Sequence, residues 1–123
     1  MISKTNKISN GENKLYHKEL AKGRWFQLSL AEQMANIGSE VSRVRKWQEI
    51  DKNIFWVTVD RALELFDMTL MDSRWRGRLR EIARVREVFC DAIFGGKDYQ
   101  SSLKDLERYF LSFAFLVRRR LLS

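Results

Sequence analysis

The chain is poor in residues that break helices or cross-link chains: among its 123 residues it has no proline, six glycines and one cysteine, Cys90. Because proline and glycine supply the turns of a many-stranded sheet, their scarcity favours long helices. A single cysteine forms neither an intrachain disulfide nor a cysteine cage for a metal, which is typical of a reducing compartment. We therefore expect an all-α protein in which Cys90 is a buried, unreactive side chain.

Long apolar runs are missing as well. No stretch approaches the roughly 20 apolar residues of a membrane span, and the first residues, MISKTNKISNGENK, are polar where a signal peptide would be apolar. These features predict a cytoplasmic protein with no membrane partner. The hydrophobic fraction of 45% is enough to bury the core of one domain.

Side chains that carry out catalysis or bind metals are also scarce. The only histidine, His17, lies in a polar N-terminal segment, which leaves the predicted fold without an imidazole as base or ligand. The Glu-x-x-His pairs of a di-metal bundle do not occur, and the glycines form neither a P-loop nor a GxGxxG turn. We expect no catalytic residue, no metal site, no cofactor and no enzymatic activity.

Apolar periodicity divides the chain into two parts. Residues 1–22 are rich in lysine, asparagine and serine with almost no apolar period, which predicts a flexible basic arm. Residues 23–123 carry four apolar stripes whose members are spaced by 3 and 4 residues, the period of a helix. The stripes are Leu30, Met34, Ile37, Val41 and Val44; Trp56, Val59, Leu63, Phe66 and Leu70; Trp75, Leu79, Ile82, Arg86, Phe89 and Ile93; and Leu103, Leu106, Phe110, Phe113 and Val117.

Helix start and stop signals fall between these stripes. Ser29 with Glu32 has the capping-box pattern, Asp72 or Ser73 is placed to cap the third helix, and Ser101 or Ser102 the fourth. Gly95 and Gly96 should end the third helix. The segment IFWVTV alone suits a strand, but its continuation RALELFDMTLM favours a helix. The predicted fold is an antiparallel up-down four-helix bundle, residues 23–123, with its tryptophans in the core rather than stacked on bases.

The segment DSRWRGRLREIARVREVF places six arginines between positions 74 and 86. At about 100° per residue, Arg76, Arg80 and Arg84 share the helix side opposite the apolar stripe. Two interpretations are open: a solvated, salt-bridged face, or a surface for phosphates. The net charge of +7 favours a polyanion partner. The predicted nucleic-acid contacts are Arg74, Arg76, Arg80, Arg84, Arg118, Arg119 and Arg120.

Arg86 differs from the other arginines because it occupies a slot in the apolar stripe of the third helix. A partly desolvated guanidinium requires a carboxylate, which predicts an internal ion pair that sets helix register. Counting from the turns places Asp60 and Glu107 level with it, and Glu40 is a further candidate.

The fourth helix has apolar residues nearly all around it in YFLSFAFLV. A helix in a single four-helix bundle needs only one apolar stripe. The additional apolar residues Leu111, Phe115 and Leu116 therefore predict a second buried face. Self-association explains this face more simply than a membrane surface does. In a ring of subunits, weak phosphate contacts would add through multivalency.

The hairpin RALELFDMTLMDSRWRGRLREIAR, in a small basic bundle with an extra apolar face, resembles the bacterial four-helix-bundle proteins of the ribosomal-RNA intervening-sequence family. Relatives of that family include the accessory variability determinants of diversity-generating retroelements. The resemblance is architectural and covers residues 29–120. It implies a cyclic oligomer, a pentamer, whose basic surface contacts RNA or an RNA-bearing reverse transcriptase. The prediction is thus a non-enzymatic accessory protein that binds nucleic acid; the alternative is an oligomeric interaction module whose arginines dock an acidic protein.

Overall fold

The computed structural model describes residues 16–18, 20–95 and 102–122, and within these ranges the regular secondary structure is helical, with no strand. The long α-helices of the described ranges are α1 (Leu30–Trp47), α2 (Lys52–Leu70), α3 (Leu79–Ile93) and α4 (Leu103–Leu122). Three short helical turns accompany them: a π-turn at Leu20–Arg24 and 3-10 turns at Trp25–Gln27 and Ser73–Arg78. The predicted all-α class is confirmed, and the IFWVTV segment is helical.

Helix α1 is the centre of the packing, with α2 and α4 against it. It begins with the predicted capping box: the Glu32 N–H donates to Ser29 Oγ at 3.1 Å, and the Ser29 N–H donates to Glu32 Oε1 at 2.8 Å. Most of its predicted stripe is buried, namely Met34, Ile37, Val41 and Val44, while Leu30 is half-buried.

Helix α2 begins at the cap Asp51, whose carboxylate accepts from the N–H groups of Asn53 and Ile54 at 2.9 and 3.1 Å. Its buried side is rotated from the predicted stripe. Trp56, Leu63 and Leu70 are only half-buried, whereas the buried positions include the small side chains Thr58, Ala62 and Thr69. The predicted stripe contains only large apolar residues. It therefore leaves out small buried residues, which allow a neighbouring helix to pack closely.

The predicted third helix is wrong in its first turn. Asp72 is the cap, as expected, but residues Ser73–Arg78 form a 3-10 turn and α3 begins at Leu79. The break lies at Trp75 (φ −100°, ψ 25°) and at Arg78 (φ −113°, ψ 6°). From Leu79 onward the helical period holds, and α3 ends before Gly95, whose φ of 70° is the left-handed conformation of a helix stop.

Helix α4 begins with a second reciprocal cap, in which the Asp105 N–H donates to Ser102 Oγ and the Ser102 N–H donates to Asp105 Oδ2, both at 3.1 Å. Leu103, Leu106 and Phe110 are buried. Helices α1 and α4 lie close together at Gly38, where an added Cβ would lie 2.5 Å from Phe110 Cβ. The alternative cap Ser101 and the stop residue Gly96 lie outside the described residues.

The end of the predicted flexible arm lies on the bundle. The backbone N–H groups of Tyr16 and His17 donate to the Glu64 carboxylate at 3.0 and 2.8 Å, and Leu20 and Ala21 pack against the core. Part of the predicted arm, namely Tyr16, His17, Leu20 and Ala21, therefore contacts the bundle, and the flexible character of the arm stays a prediction. Residues 1–15 lie outside the described residues.

Candidate nucleic-acid interface

The six arginines between positions 74 and 86 divide into two sets. Three have a carboxylate partner: Arg74 with Asp72 at 2.7 Å, Arg78 with Glu81 at 2.9 Å, and Arg86 with Asp67 at 2.9 Å. Arg76, Arg80 and Arg84 are exposed, and Arg84 also takes part in an interaction within the protein. Neither Arg76 nor Arg80 has an ion pair or hydrogen bond to any described side chain. The positive charges of Arg76 and Arg80 are therefore exposed to solvent and are not neutralised by a described side chain.

Arg74, which was predicted to meet a phosphate at a helix start, has partners within the protein although 40% of its side chain is exposed, and its contact with nucleic acid stays a prediction. Its Nη2 donates to Asp72 Oδ2 and to the Leu28 carbonyl oxygen, both at 2.7 Å, and its guanidinium lies 4.4 Å from the centre of the Trp75 ring. The Arg74 N–H also donates to Asp72 Oδ1 at 3.1 Å. The carboxylate of Asp72 thus occupies the helix-start position where a phosphate was expected.

The hydrogen bonds from Arg74 hold the pKa of Asp72 below its usual value, although burial of the carboxyl group opposes this shift. Gln33 adds a third bond, from its Nε2 to Asp72 Oδ2 at 3.0 Å. Asp72 is 4% exposed. A charged Asp72 is therefore a fixed part of the turn before α3.

The exposed arginines do not form the single helical ridge that the sequence predicts. Arg80 and Arg84 are four residues apart on α3, one turn and about 6 Å along the axis. Arg76 lies on the preceding 3-10 turn, which has a different period. The surface, called the arginine patch below, consists of Arg76, Arg80 and Arg84.

Arg86 is half-buried and has a carboxylate partner, but the partner is not the predicted Asp60 or Glu107. Arg86 binds Asp67 of α2, and 33% of the Arg86 side chain and 55% of the Asp67 side chain are exposed. Glu107 instead pairs with Arg45 at 2.7 Å, and the charge of Asp60 acts on Tyr16, whose pKa is raised chiefly by burial. The buried positions of α3 are Val85 and Phe89, which leaves Arg86 at the edge of the core.

A cavity of about 210 Å³ lies between α3 and α4, next to the arginine patch. Its walls are Arg84, Val85, Val88, Asp105, Leu106 and Tyr109. Burial raises the pKa of Tyr109, and the nearby Glu81 charge adds to the shift. Nothing in the sequence marks this cavity, because it depends on how two helices lie side by side.

Sequence reasoning also missed a buried charged cluster around Glu40. His17 Nδ1 lies 2.5 Å from Glu64 Oε1, and His17 Nε2 lies 3.4 Å from Glu40 Oε2. Arg43 and Arg61 contact the same Glu40 oxygen at 3.2 and 3.4 Å, while Glu40 Oε1 is buried and has no hydrogen-bond partner among the residues that the structure describes. Within the described ranges, no group of three or more His, Cys, Asp or Glu side chains is placed to hold a metal ion.

The end of α4 carries the other predicted contacts. Arg118, Arg119 and Arg120 are exposed, and so are the apolar side chains of Leu111 (49%) and Phe115 (55%), while Leu116 is half-buried. Apolar and basic surfaces therefore lie on one helix.

The tryptophans mostly serve the core. Trp25 is fully buried and its Nε1 donates to Thr69 Oγ1 at 3.1 Å, while Trp47 and Trp56 are partly buried against the core cluster. Trp75 is half-buried, with its Nε1 donating to Gln33 Oε1 at 2.8 Å. Cys90 is half-buried, and burial raises the pKa of its thiol.

Comparison with known proteins finds no match: no protein-family model, no curated protein and no solved structure is similar to this chain. Among the described helices, none combines the length and the apolar composition that a membrane span needs.

Proposed function

We propose that this protein is a non-enzymatic accessory factor that binds the phosphate backbone of nucleic acid, RNA in the first place, through the arginine patch. The observation that carries the proposal is the contrast between paired and outward-facing arginines. Arg74, Arg78 and Arg86 have carboxylate partners, whereas Arg76 and Arg80 are exposed without an ion pair to a described residue. Arg118, Arg119 and Arg120 extend the proposed contact surface.

Helix stability does not account for the patch. Like charges four residues apart destabilise a helix by about 0.2 to 0.5 kcal/mol where nothing compensates them, and Arg80, four residues before Arg84, has no ion pair to a described residue. A phosphate near both guanidinium groups would replace this repulsion with charge-assisted hydrogen bonds. The whole chain, with 23 basic and 16 acidic residues, would support the same attraction at longer range.

In the proposed assembly the helices form an up-down bundle, and several copies associate through α4 into a ring, a pentamer by the family resemblance. Each copy would add one arginine patch, so that weak phosphate contacts sum through multivalency. A reverse transcriptase that carries RNA would be a partner of the same surface.

Charge reversal of the patch tests the proposal. Arg76→Glu with Arg80→Glu should weaken binding to unrelated RNA and DNA sequences and flatten the dependence of log Kd on log salt by about one unit per lost contact. Fluorescence anisotropy with labelled single- and double-stranded oligonucleotides, titrated from about 50 to 200 mM salt, measures both quantities.

The matched control is Lys46→Glu with Lys52→Glu, which changes the net charge equally at the link between α1 and α2, the end of α2 opposite to the one that leads into the Ser73–Arg78 turn. The control should keep most of the parent's affinity at any one salt concentration. No binding by the parent at about 50 mM salt, or equal losses in the two double variants, would refute a role for the patch.

The second candidate function is an oligomeric interaction module that docks an acidic protein. The exposed apolar side chains of Leu111 and Phe115 favour it, since they suit a protein partner better than a phosphate backbone. A parent that binds no nucleic acid but is captured in a salt-sensitive manner by an acidic protein would support this function.

A further inference from the structure

We infer that the cavity between α3 and α4 is a pocket for one unpaired nucleobase of a single-stranded nucleic acid whose backbone lies on the arginine patch. The inference rests on the proposed function and deepens it, because it makes the chain prefer single strands. The juxtaposition that carries it is Arg84, which belongs to the patch and also forms one wall of the cavity.

The size of the cavity suits a single flat ring system. Its volume of about 210 Å³ is below the roughly 300 to 1,000 Å³ of pockets for drug-sized ligands. A base attached to a backbone that stays outside needs only such a partial pocket. A paired base in a duplex is stacked and hydrogen-bonded, and it does not reach into a side pocket without being flipped out.

The walls have the chemistry of a base site. Val85, Val88 and Leu106 supply apolar surface, and Tyr109 supplies an aromatic ring, the kind of side chain on which unpaired bases stack. Tyr109 is held in place: its ring packs edge-on against Phe110 and Phe113 at 5.2 and 5.5 Å between centroids. Its hydroxyl donates to Glu81 Oε2 at 3.5 Å.

Charge places the backbone and the base on different sides of the site. Arg84 in the wall of the cavity, with Arg80 one turn before it on α3, attracts phosphate, whereas the Asp105 carboxylate in another part of the wall repels it. Hydrogen bonds from Ser102 lower the pKa of Asp105, so this group is an ionised acceptor at neutral pH. A carboxylate oxygen accepts from the N–H groups on the edge of a base.

Filling the pocket tests the inference. Val88→Phe should lower affinity for a single-stranded 12-nucleotide RNA about tenfold, the loss expected for one stacked base, and leave affinity for a duplex of equal length unchanged within about twofold. The matched control is Val57→Phe, the same substitution at a 44% exposed position of α2. A single-stranded DNA of the same sequence shows whether binding also depends on the 2′-hydroxyl groups of the backbone.

Circular dichroism shows whether Val88→Phe folds. A second measurement, which does not depend on that variant, uses the parent protein and Tyr109→Leu. A single strand carrying 2-aminopurine should change its fluorescence on binding the parent protein, and Tyr109→Leu should reduce that change. Equal affinity of the parent for single and double strands, with no effect of Val88→Phe or Tyr109→Leu, identifies the cavity as a packing gap and overturns the inference.

The two proposals fail in different ways. If the parent binds neither strand form, the proposed function fails and the base pocket fails with it. If binding depends on salt and on Arg76 and Arg80 but not on the pocket, the proposed function stands and only the pocket is lost.

Discussion

At the scale of single residues, the turn before α3 is held by a buried polar network centred on Gln33, which is fully buried. Its Nε2 donates to the Trp25 carbonyl oxygen at 2.9 Å and to Asp72 Oδ2 at 3.0 Å, and its Oε1 accepts from Trp75 Nε1 at 2.8 Å. Both amide donors and one acceptor are therefore used. This one side chain links α1 by hydrogen bonds to both 3-10 turns. It thereby helps to fix the turn Ser73–Arg78, which carries Arg76.

Asp72→Asn tests the network. The change removes a charged acceptor from Arg74 and Gln33, so we expect the free energy of unfolding at pH 7 to fall by about 1 to 3 kcal/mol. The pKa of Asp72 is lower in the folded protein than its ordinary value, so its contribution is complete above the ordinary Asp range and is lost as pH falls through the folded pKa.

Urea unfolding at several pH values from 7 to 3 measures this effect. The parent and Asp72→Asn should differ most at neutral pH, and the difference should shrink as the pH falls below the ordinary Asp range, because the unfolded carboxyl group takes up its proton before the folded one. Two stability curves that stay parallel over this range would show that the Asp72 charge contributes nothing to folding.

At the scale of the helices, the distance between α1 and α4 is set by Gly38. A methyl group at this position would meet Phe110 Cβ at 2.5 Å, so the two backbones approach more closely than two ordinary side chains allow. A glycine in the interior of a helix is unfavourable by about 1 kcal/mol relative to alanine. Close packing of the helices is the physical reason for its presence here.

Gly38→Ala should therefore destabilise the protein by about 1 to 3 kcal/mol through overpacking, even though alanine is the better helix former. Gly77→Ala is the control, because an added methyl group there meets nothing within 4 Å. Thermal unfolding followed by circular dichroism compares the two. A Gly38→Ala protein as stable as the parent would mean that α4 shifts without loss of packing.

At the scale of the whole molecule, the surface combines a positive charge with exposed apolar side chains on α4. Leu111 and Phe115 are 49% and 55% exposed, and Arg118, Arg119 and Arg120 follow on the same helix. Apolar surface that stays in contact with water favours association. The proposed ring of copies would bury this surface and bring several basic patches together.

Leu111→Glu with Phe115→Glu should give smaller species that remain helical, because the introduced charges oppose burial between subunits while the core of each subunit is unchanged. Light scattering after size exclusion measures the mass. The control is Ile50→Glu with Met71→Glu, at apolar positions that are 64% and 70% exposed away from α4. A parent that is already monomeric at micromolar concentration would contradict the prediction.

Features that depend on neighbours in the chain were predictable from the sequence. The caps Ser29 and Ser102, the stop at Gly95 and the mainly buried stripe of α1 lie where they were expected, and Asp72 caps the 3-10 turn that precedes α3. These features are set by residues within about one turn of each other. The exposure of Arg80 and Arg84 follows from the same period, whereas their contact with nucleic acid stays a prediction.

Features that depend on the rotation and separation of the helices were decided only by the tertiary structure. Arg74 and Arg86 have partners other than those expected, the first turn of α3 is a 3-10 turn, and His17 lies against Glu64. An apolar period specifies which side of a helix is buried but not the partner helix that each edge residue meets. The sequence therefore determined the helices and their outward charge, and the packing between helices determined the ion pairs, the docked N-terminal segment and the cavity beside the arginine patch.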